Sequence, residues 1–162
     1  MTEKLETALT NIEITYKELI EIANDIMRPI TKEVNALIDY TSDNIESLSI
    51  EQIRNLILDL SLKSFKFGDV KEKAALKAKC AETLKNEAYA KEFAGSDGSV
   101  EAKKTAATTN ISSQVVAEAL YTLISSLFKT KLDEIHRCVD ALKSVLMSRM
   151  AEQKLLSNFA GE

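Results

Sequence analysis

LETALTNIEITYKELIEIANDIMRPI, residues 5–30, places Leu5, Leu9, Ile12, Tyr16, Leu19, Ala23, Ile26 and Ile30 at alternating steps of four and three. Because 3.6 residues complete a helical turn, these steps bring apolar side chains onto one stripe, and the spacing predicts a helix starting near Thr2 with a coiled-coil-like seam. Pro29 lacks a backbone N–H and disfavours a helical residue before it, so a kink or break is expected there. Ile30, Val34, Leu37 and Ile38 resume the spacing beyond it. The polar run TSDNIES, Thr41 to Ser47, then reads as a connection.

Ser49 and Gln52 have capping-box spacing, in which hydroxyl and amide satisfy exposed backbone N–H groups, and they open the apolar run IRNLILDLSLKSF. A second helix is predicted over about 50–66, with Ile53, Ile57, Leu60 and, less regularly, Phe65 on its core face and Leu56, Leu58 and Leu62 widening it. Gly68 suits the end of that helix, and Asp69 with Glu72 repeats the capping spacing to start a third helix ending at Ala94–Gly95. GSDGS, Gly95 to Ser99, opens a loop expected to be flexible over about 95–110, where VEAKKTAATTN can hold only a short helix. From about Ile111 a last helix carries Val116, Leu120, Leu123, Leu127, Phe128, Leu132, Ile135, Val139, Leu142 and Leu146, with a one-residue slip near Leu127.

The chain has 162 residues, 45% apolar, with one proline and four glycines, a composition of helix formers sized for a single domain over 1–162. The expected fold is all-α, an elongated bundle of about four helices with long coiled-coil-like N- and C-terminal helices. Seams on helices of about 35 residues, each about 50 Å long, favour self-association as a homo-oligomer, with Leu120, Leu127, Leu132, Ile135, Val139, Leu142 and Leu146 as the assembly face. No stretch approaches the roughly 18 apolar residues that a membrane span requires, so a soluble cytoplasmic protein is expected. Cys80 and Cys138 lack metal or redox spacing and read as reduced thiols.

Charge is unevenly distributed. Residues 1–62 hold 12 Asp/Glu against 5 Lys/Arg, residues 63–91 hold 4 against 8, and residues 92–162 hold 9 against 8. The balances of −7, +4 and −1 give the net −4 and concentrate lysine in VKEKAALKAKCAETLKNEAYAKEF, Val70 to Phe93. A basic surface beside an acidic one suits a polyanion on the first and a protein on the second.

Catalytic templates fail at the counting stage. A di-iron bundle needs Glu-x-x-His on two helices, but only Asp133-x-x-His136 comes near and there is no second histidine, and GSDGS lacks the Gly-Lys-Ser/Thr ending of a phosphate loop. Asp133, His136 and Asp140 share a helix face, a pattern that ion pairing at the surface explains better than a metal. Neither an enzyme nor a cofactor is expected.

Glu72-Lys73-Ala74-Ala75-Leu76-Lys77-Ala78-Lys79 and the later Leu132-Asp133 with Val139-Asp140-Ala141-Leu142-Lys143-Ser144 resemble, in the same order, two short motifs of the UvsY-type recombination mediators of tailed phages. The resemblance implies a small, helical, ring-forming protein in the host cytoplasm. Such a protein binds single-stranded DNA, contacts the single-strand-binding protein and the recombinase, and helps the second displace the first. It assigns DNA contacts to Lys77 and Lys79 and assembly to the C-terminal helix.

Helical geometry reads the same lysines differently, since residues two apart point roughly 160° away from each other. Lys73 and Lys77 share a face, and Lys91 falls near them at the border of the stripe Val70, Ala74, Ala78, Ala81, Leu84, Ala88. The candidate nucleic-acid set is thus Lys71, Lys73, Lys77, Lys79 and Lys91, with the row Lys73, Lys77, Lys91 best placed for phosphates. Phe65, Phe67, Tyr89 and Phe93 are expected to pack the ends of the basic helix. Two functions remain: a DNA-recombination accessory protein, or a helical interaction module (an adaptor, chaperone or inhibitor of a host protein) that engages its partner through the acidic N-terminal helix at Glu13, Glu18 and Glu21.

Overall fold

The computed structural model describes the backbone of residues 2–159, and the side chains of residues 17–158 apart from position 110. The fold is all-α, a bundle of four helices dominated by three long ones. They are α1 (Thr2–Asn44), α2 (Ile50–Gly95), α3 (Val100–Asn110) and α4 (Ser112–Phe159). Helices α1 and α4 are the long terminal helices that the sequence suggested, whereas its second and third helices are one continuous α2, and the fourth helix, α3, falls where a loop was expected.

Helix α1 runs through Pro29 without ending. The missing donor costs one helical bond, and buried Ala23, Met27 and Val34 on either side offset it. The seam differs from the expected one in phase: Ile26 and Ile30 are exposed, while Met27 and Thr31 are buried. Leu5, Leu9, Ile12 and Tyr16 lie outside the residues whose side chains are described. At the other end, buried Thr41 donates its hydroxyl to the Leu37 carbonyl at 2.7 Å, inside its own helix. The helix therefore continues into the expected connection as far as Asn44, whose carbonyl accepts from the backbone of Ser47 and Leu48.

The capping box forms as read. Ser49 Oγ accepts from Gln52 N at 3.2 Å, and Gln52 Oε1 accepts from Ser49 N at 2.8 Å. Helix α2 then continues for 46 residues, so Gly68 terminates nothing and the Asp69–Glu72 box is not a helix start. A glycine inside a helix costs only about 1 kcal/mol relative to alanine. Phe67 beside it is buried edge-on against Phe128, with centroids 5.5 Å apart, and that contact holds the helix together across the glycine.

Residues 96–99 form the turn into α3. Gly98 has φ +109°, which a side chain would strain, and Ser99 caps α3 by accepting from Ala102 N at 3.3 Å. The stretch expected to be a loop with at most a short helix thus folds as an 11-residue helix.

The chain divides into two compact units, one of residues 1–27 and 70–127, the other of residues 28–69 and 128–162. Unit 1 buries chiefly small side chains, Ala23, Ala74, Ala81 and Ala107, with Met27, Ile111 and Ile124. Unit 2 holds all the largest fully buried side chains: Phe128, Leu48, Ile53, Leu60, Ile135, Leu142 and Val34. In α2 the core face is Ile53, Leu56, Leu60 and Phe67, whereas Leu58, Leu62 and Phe65, expected to widen or line it, are exposed.

Unit 2 is tied at its loop end by Arg149, whose Nη2 donates to the carbonyl of Ile45 at 3.3 Å and to that of Glu46, just past the end of α1. Arg149→Ala is expected to lower unfolding free energy by about 1–3 kcal/mol, because a charged donor leaves two carbonyls to water. Urea denaturation of the two proteins measures it.

Candidate nucleic-acid interface

The basic segment lies in unit 1, on the second half of α2. Since α2 is unbroken, the angular relations among its lysines hold along its length. Ala74 and Ala81 are buried, Val70, Ala78 and Ala88 are half-buried, and Lys73, Lys77 and Lys91 stand exposed along one border of that stripe. Lys79 is exposed on the opposite side. Lys71 is half-buried and bonds Glu72 Oε1 at 2.8 Å, so part of its charge is neutralised locally.

Two features depart from the expected stripe. Leu84 is 58% exposed, and the inward position passes to Lys85 one residue later. Lys85 can sit there because its long stem packs while its ammonium meets Glu118 Oε2 of α4 at 2.5 Å. Along α4 Ile124 and Phe128 are buried, with Ala117 and Tyr121 half-buried on the same spacing, which runs into Phe128 without the slip expected near Leu127; of the expected seam Val116 is exposed, while Leu120, Leu123 and Leu127 are half-buried beside it.

Tyr121 is the residue that the sequence reading missed. Its half-buried ring lies under Lys77, whose Nζ is 5.2 Å from the ring centroid. An aromatic face therefore adjoins the lysine row. Its only sequence signal is a position one residue from the expected seam. Of the aromatic residues assigned to packing, Phe67 is in the core and the half-buried Tyr89 and Phe93 stack on each other at 6.2 Å, but Phe65 is 75% exposed.

The residues expected to form the assembly face are largely used inside the chain. Ile135, Val139 and Leu142 are buried in unit 2, where Leu132 and Leu146 are half-buried. Leu120 and Leu127 are half-buried in unit 1.

Among the described residues no three His, Cys, Asp or Glu side chains come together as a metal site, and Asp140 pairs with Lys143 at 3.3 Å. Both cysteines are free thiols. Cys80 is exposed, whereas burial pushes the Cys138 thiol above its ordinary range, opposed by a hydrogen bond with Thr41. A disulfide reagent at neutral pH is expected to modify Cys80 quickly and Cys138 slowly, since the thiolate is the reacting species. Cys80→Ser should abolish the fast phase alone.

Comparison with family models, with curated proteins and with solved structures finds no match to this chain. Among the described residues no single helix is long and apolar enough to cross a membrane; α3 and α4 meet that measure only as a bent pair.

Proposed function

We propose that this is a non-enzymatic DNA-recombination accessory protein, binding single-stranded DNA along the Lys73, Lys77, Lys91 edge and engaging recombination partners as an oligomer. The observation that carries this reading is Lys77 seated over Tyr121 with Lys73 one turn earlier on the same border. Cations that track phosphates beside a ring on which a base can stack are what single-strand binding without sequence preference uses. The likeness of residues 72–79 and 132–144 to the mediator motifs supports the same ligand. A few cations per subunit give weak contacts, which assembly multiplies along one strand.

Titration of the full chain with a labelled single-stranded oligonucleotide at two salt concentrations tests the reading. Binding at low salt that weakens steeply at high salt is expected; no binding at low salt overturns it.

A second reading rests on α1 of unit 1, where exposed Ile22 and Ile26 adjoin exposed Glu18 and Glu21. An acidic, partly apolar helix face suits a basic protein partner. Glu13 lies outside the described side chains. On this reading Glu18→Lys or Glu21→Lys releases the partner and leaves any oligonucleotide binding unchanged.

A further inference from the structure

Leu58, Leu62 and Phe65 on α2 are 58%, 54% and 75% exposed, and Phe65 is the most exposed large apolar side chain described. They follow steps of four and three, so the helix carries a heptad seam on its outer side in addition to the inner face of Ile53, Leu56, Leu60 and Phe67. Three neighbouring apolar side chains held in water lower their free energy when another surface covers them.

The residues bordering the seam specify that surface. Asp59 and Lys66 are seven apart, so both stand on one border, and both are exposed. Neither forms an ion pair with another described residue: Glu33, which feels the field of Lys66, is bonded to Lys63. On the opposite border are Ser61 and Gly68, also seven apart and both small. A side chain at Gly68 would meet nothing within 4 Å, so the chain's own packing does not call for the glycine.

We infer that this face of unit 2 binds a second copy of the chain, α2 against α2, antiparallel about a twofold axis. In that register Leu62 of each copy meets Phe65 of the other, and Asp59 of each copy faces Lys66 of the other, giving two symmetry-related ion pairs. Ser61 faces Gly68 on the other border, where small side chains let the two backbones approach. Leu58 and Asp69 meet at the two rims, where the carboxylate keeps its water. A parallel pairing would set Asp69, the next seam position after Phe65, directly against its own copy. A twofold contact closes at two subunits and leaves the lysine edge of unit 1 outside the interface residues.

Sedimentation velocity of the full chain over a concentration series tests this, with helicity by circular dichroism confirming that each variant is folded. The wild type is expected to pass from monomer to dimer as concentration rises. Asp59→Lys alone and Lys66→Asp alone each set like charges face to face twice, and each should raise the dimer dissociation constant by about tenfold or more. The double variant Asp59→Lys with Lys66→Asp restores the dimer, and an equimolar mixture of the two single variants forms a heterodimer. Phe65→Gln removes it. A wild type that is monomeric at every concentration, or an assembly indifferent to Phe65→Gln and to both charge reversals, overturns the inference.

Discussion

Phe128→Ala is expected to lower the unfolding free energy by about 3–5 kcal/mol, the range for removing a large aromatic side chain from a packed interior. Phe128 is fully buried and meets the Phe67 ring edge-on with an interplanar angle of 68°, so the substitution leaves a void and removes an aromatic pair. The loss amounts to a fifth or more of the about 5–15 kcal/mol that holds a domain folded. A chemical-denaturation midpoint and slope measure it. Phe128→Leu, which keeps most of the volume, should lose much less, and equal losses for the two would mean that Phe128 does not organise the core of unit 2. An Ile124→Ala substitution is expected to cost less than Phe128→Ala, because Ile124 packs among the smaller side chains of unit 1.

Lys73→Ala combined with Lys77→Ala is the second large effect. Single-stranded oligonucleotide affinity at low salt should fall by about tenfold or more, and the dependence of log affinity on log salt should become shallower by about 0.7 for each phosphate contact removed. Both side chains are exposed, and a cation–aromatic contact such as that of Lys77 at the surface is worth about 1 kcal/mol or less, so the fold should be retained with a small loss of stability. Lys79→Ala is the control that separates helical geometry from the motif likeness: the likeness gives Lys79 the same part as Lys77, whereas its place on the far side of α2 predicts almost no effect. Equal losses from Lys77→Ala and Lys79→Ala would displace the binding edge from the Lys73, Lys77, Lys91 row. Tyr121→Leu should weaken binding more than Tyr121→Phe, which keeps a ring beneath Lys77.

The fold class was legible because it rests on local quantities. Heptad spacing, the scarcity of proline and glycine, and the Ser49–Gln52 box each act within a few residues, and each reads directly into α1, α2 and α4. Gly68 was misread because a helix-ending residue acts only when nothing downstream repays continuing the helix, and Phe67 against Phe128 couples positions far apart in sequence. The phase of α1 was misread for a related reason. Ile26 and Ile30 are more apolar than Met27 and Thr31, but packing from other helices decides which row turns inward. On the candidate interface, the row Lys73, Lys77, Lys91 followed from helical angles alone. Tyr121 did not, since its meeting with Lys77 joins two helices 44 positions apart along the chain.

Both units are built from distant stretches, and this sets the order in which they can be completed during synthesis. Residues 28–69 leave the ribosome early and can pair as a hairpin through the short turn after Asn44, but Phe128, Ile135, Val139 and Leu142, which close the same core, follow only after residues 70–127 have been made. Until then the hairpin carries Val34, Ile53, Leu60 and Phe67 uncovered. The nascent chain is therefore most vulnerable to chaperone capture and mispairing from the time the lysine-rich half of α2 is translated until Leu142 has been made.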